Sequence, residues 1–518
     1  MDHLSGIDAA FLYLETPETP MHVGSLHVYE LPDDYAGDFV EDVRQHIAGR
    51  LHLASVFRRV LVNMPFELAN PVWAMENDLD LEYHIRSTVL PKPGGRAQLD
   101  RLVGRLHSSL LDRSRPLWEF YVIEGLASPP GKRHIGFYAK VHHASLDGAG
   151  GIALANAMLD MGPVPREVRA VSRRHVAPSA HYGIAELSAA GVRHSAVQLV
   201  KLARTLPTLA RTALQRLRAP SSGAGKAARS NWFAPRTPIN VSITNQRSFA
   251  SLSLSLAETR QIAKGNDCTL NDVVMATCAG ALRHYLADLG CVPDAPLLAA
   301  VPISLREAGN TEMNTQASMM RISLASTIAD PLQRLAAIRE SSSAAKALAA
   351  SLKSVVPMDF PSLGAPWLIS GLAALYGRSR LANRIPPLAN VAISNVPGPK
   401  FALYLAGAKM LTYYPVSIVS HGLALNVTVQ SYNGSLDYGL TACRKAMPDL
   451  PDMARLMQAA HEELLRLTPV VEVEARPEPK AVSKAAAKAP RPLKLVQKKT
   501  TPATPRAPRA AKTRRVAI

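Results

Sequence analysis

Three features of the sequence predict a mixed α/β protein built in two halves. Strand-like alternation and helix-like spacing interleave along the chain up to about residue 468. Between the halves, residues 187–257 carry ten Lys/Arg and no acid, unlike either flank. Beyond residue 468 large apolar side chains thin out, and the composition turns to Ala, Lys and Pro. At 518 residues the chain exceeds one hydrophobic core, and a prior of roughly 150 residues per domain asks for two or three units. With 47% hydrophobic and 19% charged residues the body is globular rather than disordered. The boundaries that follow are 1–163 for the first half, 164–246 for a basic helical connector, 247–468 for the second half and 469–518 for a disordered tail.

In the first half, residues 4–14 read as a short helix or an extended segment, and 21–31 as a strand suited to sheet pairing. His22 on that strand is read as a satisfied structural histidine. A helix is expected over 38–51, a strand carrying His84 over 78–90, and a helix over 99–111. Residues 117–124 form a strand paired with 134–143 across the turn Pro129-Pro130-Gly131. Trp118 is read as its core aromatic. Along 134–143, Ile135, Phe137, Ala139, Val141 and His143 share one face, while Tyr138, Lys140 and His142 share the other. The two histidines therefore point opposite ways. His143 ends the apolar face, and Asp147-Gly148-Ala149-Gly150-Gly151 breaks the strand before a helical 152–161. A histidine aimed into the protein at a strand end, beside a glycine-rich turn, is placed for proton transfer.

Within the connector, Leu199, Leu202, Leu206, Leu209, Leu214 and Leu217 recur near helical spacing among Lys201, Arg204, Arg211, Arg216 and Arg218, with Pro207 as a kink or break. Two readings stay open: a crossover helix packing its leucines on the body, or a basic amphipathic segment lying in a membrane interface. The second half opens with a strand over 248–256 and a helix over 257–264, followed by a long helix from Thr269 to residue 289. Thr269-x-x-Asp272 is a capping-box arrangement, which explains Asp272 structurally and leaves Asn271 the less explained neighbour. Residues 297–304 and 388–394 are strands, the latter stopped by Pro397-Gly398 in a type II turn. Asn433-Gly434 turns a hairpin between 423–430 and 435–441, and a helix over 451–467 closes the body.

Residues 480–518 hold twelve Lys/Arg and no Asp/Glu, so only +6 of the net charge of +18 belongs to the rest of the chain. Such an arm neutralises phosphates on nucleic acid or an anionic lipid surface, or simply keeps the protein soluble. The four cysteines, Cys268, Cys278, Cys291 and Cys443, show no paired or metal-ligand spacing, which fits a reducing compartment. Met1-Asp2-His3 is not the basic start of a leader. The uncharged stretch 360–377 contains Pro361 and Pro366 and makes a poor transmembrane helix. The expectation is a cytoplasmic protein that touches membranes without spanning them.

His142-His143-x-x-x-Asp147-Gly148 is similar to the signature of the superfamily that includes chloramphenicol acetyltransferase, the condensation domains of peptide synthetases and the plant BAHD acyltransferases. Four further segments make the chain resemble the bacterial wax ester synthase/acyl-CoA:diacylglycerol acyltransferases. They are Leu4-Ser5 to Asp8 with Pro20-Met21-His22-Val23-Gly24, Pro116-Leu117-Trp118-Glu119, Thr269-Leu270-Asn271-Asp272-Val273-Val274, and Asn395-Val396-Pro397-Gly398-Pro399. The resemblance implies two chloramphenicol-acetyltransferase-like domains joined by a helical crossover, with the active site in a tunnel between them. It also implies an acyl-CoA-dependent O-acyltransferase that acylates diacylglycerol or a long-chain fatty alcohol, at the inner membrane face or on lipid inclusions.

On that reading His143 is the general base, His142 supports the loop, Asp147 is structural, Gly148 lets the backbone come close or keeps the channel open, and the Asn271-Asp272 pair supports activity. No cofactor is expected beyond acyl-CoA as co-substrate. No metal is expected either, because adjacent histidines facing opposite ways make a poor chelate. Ser145 is not in a Gly-x-Ser-x-Gly elbow and no Cys neighbours a His, so no covalent acyl-enzyme is required. The rival expectation is a non-catalytic organiser of lipid-inclusion surfaces whose tail tethers them to DNA or lipid.

Overall fold

Side-chain caps start several of the helices. Ser5 caps α1 (Gly6–Leu14), Asp38 caps α2 (Phe39–Ala48) and Asp80 caps α3 (Leu81–His84). Ser255 caps α6 (Leu256–Gly265), and Thr269 with Asp272 completes a reciprocal capping box on α7 (Leu270–Asp288), as their spacing predicts. The computed structural model describes residues 2–65, 69–146, 150–169, 183, 185–189, 191–193, 200, 233–304, 317–352 and 366–469.

The first of two six-stranded sheets runs β12-β13-β2-β7-β6-β5. Its strands are β2 (His22–Glu30), β5 (Ile85–Val89), β6 (Trp118–Glu124), β7 (His134–His142), β12 (Tyr404–Leu405) and β13 (Ala408–Val416). β6 and β7 make the expected antiparallel pair. Alternation along β7 sends Phe137 into one core with Tyr29, Trp118 and Phe120, and Tyr138 into another with Leu26, Leu99 and Val103. The second core lies under α4 (Arg96–Ser108). α5 (Gly150–Met158) follows the histidine turn. A small sheet of β1 (Asp2–His3), β4 (Val72–Met75) and β3 (Arg59–Val62) adjoins α1.

The second six-stranded sheet runs β10-β9-β11-β14-β15-β8. It contains β8 (Arg247–Ser255), β9 (Leu298–Ser304), β10 (Ala317–Ser323), β11 (Val391–Val396), β14 (Leu425–Tyr432) and β15 (Ser435–Cys443). Its core is built on α7, buried at every position from Asp272 to Leu282, against α8 (Pro331–Leu352) and α10 (Leu450–Leu467). A helix buried on all sides needs no amphipathic stripe. α9 (Pro366–Arg378) carries Leu372 and Leu375 exposed at 56% and 60%.

The two sheets are interlocked. After β11 the chain leaves the second sheet and adds β12 and β13 to the first, where β13 pairs antiparallel with β2. β13 also lies across β15. Tyr413 N–H donates to Asp437 Oδ2 at 2.7 Å, and the Ser253 and Tyr414 hydroxyls meet at 2.8 Å. A Cβ on Gly439 would sit 1.6 Å from the Pro415 carbonyl oxygen, so close backbone approach requires glycine there.

Two local expectations are corrected. Residues 78–90 are not one strand: the Asp80 side chain accepts the Tyr83 N–H at 3.0 Å and starts a helical turn ending at His84, before β5. Gly398 lacks the left-handed φ of a type II turn. Its smallness serves instead to let the chain pass Ser431, whose carbonyl oxygen would lie 2.1 Å from a Cβ at residue 398. The Asn433-Gly434 hairpin forms as expected, with φ of 42° and 93°. The whole leucine stripe of the connector, Leu199 to Leu217, and the arm 480–518 lie outside the described residues. Among the described residues no helix is long and apolar enough to cross a membrane.

Candidate active site

β7 stops at His142, one residue sooner than the alternation predicts, because His143–Ser145 fold into a 3-10 turn. The start of that turn is anchored twice. His142 N–H donates to the Leu117 carbonyl at 2.9 Å, and His143 N–H to the Met21 carbonyl at 2.9 Å. Segments 20–24 and 116–119, far apart in sequence, thus converge on the histidine pair. His22 sits opposite His142 in the β2–β7 register. It is fully buried, with Nε2 2.8 Å from the His107 carbonyl and its ring edge-on to His107. Trp118 is a core aromatic whose indole N–H donates to the Phe57 carbonyl at 3.0 Å.

His142 and His143 do face different surroundings. His142 is buried, and its Nδ1 accepts the Ala144 N–H at 3.1 Å, which assigns the ring proton to Nε2. Nε2 lies 3.2 Å from Glu15 Oε2. Glu15 also accepts the Met21 N–H at 2.9 Å and Arg113 at 2.8 and 3.1 Å. Burial alone would raise the Glu15 carboxyl, but His142, Met21 and Arg113 outweigh it and bring its pKa down to about 2. A permanently ionised carboxylate therefore braces His142, which in turn holds the turn that carries His143.

His143 is partly buried and stacks on Phe11 of α1, ring centroids 3.9 Å apart at 15°. Burial, reinforced by His142, lowers its pKa to about 4 against an opposing backbone hydrogen bond. The imidazole is neutral at pH 7, and its Nδ1 is buried with no partner from another residue among the described residues. Neutral imidazole with a free nitrogen is the form that accepts a proton. Asp147 and Gly148 lie outside the described residues.

Asn271 is half-buried at the start of α7, and no hydrogen bond, ion pair or ring contact among the described residues joins it to the histidine turn. Asp272 is buried and fully engaged. Oδ2 accepts the Thr269 N–H and hydroxyl at 2.9 and 2.7 Å, and Oδ1 accepts the Ser342 hydroxyl at 2.6 Å. Among the described residues, no group of three His, Cys, Asp or Glu side chains is disposed to hold a metal.

Sequence reasoning missed Phe11, Glu15 and Arg113, which no local pattern links to His142. It also missed Lys140, wholly buried and paired with Glu119 at 2.8 Å while reaching the Ser109 carbonyl at 3.2 Å. Burial pulls this ammonium below its ordinary pKa, with Glu119 opposing. A signal for it existed: in the β6–β7 hairpin Glu119 stands directly opposite Lys140.

Two interlocked mixed sheets with a braced histidine turn between β7 and α5 define an acyltransferase of the two-lobed type. A family model described as the wax ester synthase/diacylglycerol acyltransferase catalytic domain matches residues 4–274, and one for the WS/DGAT C-terminal domain matches 314–465. The chain belongs to the wax ester synthase/diacylglycerol acyltransferase family. It is 34% identical over 473 residues to a probable diacylglycerol O-acyltransferase of Mycobacterium tuberculosis, covering 90% of this chain and 99% of the relative. Among solved structures it is similar to the wax ester synthase/diacylglycerol acyltransferase of Marinobacter aquaeolei VT8, at 31% identity and a TM-score of 0.62, with 89% and 98% of the two chains covered. The first condensation domain of the calcium-dependent antibiotic synthetase shares the fold at 14% identity and a TM-score of 0.50, with coverages of 91% and 98%.

Proposed function

We propose that this acyltransferase moves a fatty acyl group from acyl-CoA to the free hydroxyl of diacylglycerol or of a long-chain alcohol, with His143 as general base. The observation that carries the reading is a neutral imidazole on a turn fixed by Met21, Leu117 and the Glu15–His142 brace. His143 takes the hydroxyl proton as the alcohol oxygen bonds to the thioester carbonyl carbon. The carbon–sulfur bond then breaks, and the proton passes from His143 to the departing CoA thiolate. Proton and electron pairs balance without a covalent acyl-enzyme.

Exposed Leu372 and Leu375 on α9 support docking at a lipid surface, where both apolar substrates reside. The twelve Lys/Arg of residues 480–518 support a second anchor, to anionic lipid or nucleic acid.

The test is CoA release from palmitoyl-CoA with hexadecanol or dioleoylglycerol offered in parallel, for the full chain, for His143→Ala and for a chain ending at Pro479. The full chain is expected to turn over only with an added acceptor, and His143→Ala to lose on the order of 10²- to 10⁴-fold. The shortened chain should keep its turnover in detergent and lose retention on anionic vesicles or DNA. A His143→Ala protein as active as the full chain would overturn the general-base assignment.

A further inference from the structure

A cleft of about 590 Å³ opens between α4, β8, the chain after β15 and the start of α10. Six arginines line it: Arg96, Arg101, Arg105, Arg247, Arg444 and Arg455. Surface arginines scattered along one helix are ordinarily solvated and need no ligand. These come from four separate segments of the chain and converge on one concavity. Among the described residues the only acid lining it is Asp100, which is already occupied by the Ser251 hydroxyl at 2.6 Å and by Arg96 at 3.5 Å. Arg455 is paired with Asp452, whereas Arg101, Arg105, Arg247 and Arg444 are in no ion pair among the described residues. Arg247 is buried, its guanidinium held by the carbonyls of Thr244, Gln246 and Glu18. A concentrated, uncompensated positive charge of this kind selects a multiply charged phosphate ligand.

The cleft is built, and it connects to the histidine turn. Gly104 lets α4 lie directly on β8, since a Cβ there would come 2.9 Å from the Arg247 carbonyl oxygen. That approach sets Arg101 and Arg105 beside Arg247. The Arg247 N–H donates to Ser108 Oγ at 3.0 Å, next to His107, whose ring meets His22, the register partner of His142. At a rise of 1.5 Å per residue, Arg105 and Arg101 lie roughly 3 and 9 Å along α4 from His107. The contacts from His142 through His22 and His107 to Ser108 and Arg247 tie the cleft to the histidine turn.

We infer that this cleft holds the phosphate-bearing nucleotide end of acyl-CoA, with Arg101, Arg105 and Arg444 as its anion contacts. The inference rests on the acyl-CoA reading above and names where that donor's charged end is bound. The same chemistry would suit the headgroup of an anionic lipid, so the test separates the two sources.

Arg101→Glu/Arg105→Glu in the full chain changes two exposed side chains outside any ion pair, and thermal unfolding checks that the fold survives. Direct binding of adenosine 3′,5′-bisphosphate, followed by calorimetry, is expected to weaken by about tenfold or more for each arginine–phosphate hydrogen bond removed. The KM advantage of palmitoyl-CoA over palmitoyl-pantetheine, which lacks the nucleotide, is expected to disappear in the same variant. Equal bisphosphate binding by the two proteins, or none by the unaltered chain, overturns the inference. So does a variant that loses binding to phosphatidylglycerol vesicles while binding the bisphosphate normally, which assigns the cleft to lipid headgroups. Because bisphosphate binding is read without turnover, a failure of the acyl-transfer reading would show separately, as absent CoA release from an unaltered chain that still binds the bisphosphate.

Discussion

Removing the Glu15 side chain tests whether the brace behind the histidine turn matters for chemistry or only for folding. The carboxyl has a pKa of about 2 in place of 4.5. That difference corresponds to about 3 kcal/mol of interaction favouring its ionised form. Arg113 is 44% exposed, so its share is screened to about 1 kcal/mol at most. Roughly 2 kcal/mol then belongs to the buried contacts with His142 and the Met21 N–H, both stranded without a partner in Glu15→Ala. The expected stability loss is about 2 to 3 kcal/mol. His143 is held through the same turn, and a displacement of about 1 Å at a reacting group costs on the order of 10²-fold in rate. CoA-release kinetics should therefore show kcat falling by about that factor with KM for palmitoyl-CoA little changed, and Glu15→Gln, which keeps a neutral acceptor, falling between. A Glu15→Ala protein with a lower Tm and unchanged kcat would refute the positioning argument and leave Glu15 a folding residue only.

Two further outcomes follow from the packing and the buried histidines. Gly439→Ala places a methyl group 1.6 Å from the Pro415 carbonyl oxygen, and should cost about 3 kcal/mol, read as a lower denaturation midpoint in guanidinium; an unchanged midpoint would mean the sheets separate easily there. His27 and His107, both lowered by burial to about 3, and His143, at about 4, stay neutral in the fold but protonate near 6.5 when unfolded. Stability is thus present above pH 6.5 and declines as pH falls from there toward 4. Asp100, raised by burial to about 6, protonates in the fold first and offsets one histidine. These four groups together contribute a loss of about 3 kcal/mol per pH unit well below 6.5, visible as a falling Tm between pH 6.5 and 5; a flat Tm over that range would contradict these environments.

Local signals were legible where local chemistry decides. The β6–β7 hairpin, the Thr269/Asp272 box and the Asn433-Gly434 turn all follow from neighbours in sequence. The opposite facing of His142 and His143 also follows from alternation, although the turn begins one residue earlier than the pattern suggests. β13 was not legible. It is largely apolar on both faces because one sheet flanks it and another lies across it, so it offers no two-residue alternation, and Pro415 argues against a strand. Glu15 was invisible for a different reason: a single acid between Leu14 and Thr16 carries no pattern, and its partner is a histidine from a distant strand. Asp80 misled the reading of 78–90, because a capping side chain outweighed the strand-like residues around it.

The exchange of β13 between sheets also governs how the chain is made. Val28 N–H and the Thr412 hydroxyl, bonded at 3.3 Å, are 384 residues apart. At about 5 to 20 residues per second, a ribosome takes roughly 20 to 80 s to deliver that partner after β2 emerges. Throughout that interval β2 presents an open edge beside the future histidine turn, a template for pairing with another nascent chain. The acyltransferase cannot be assembled half by half during synthesis, and its yield in a cell depends on what shields that edge until residue 416 is out.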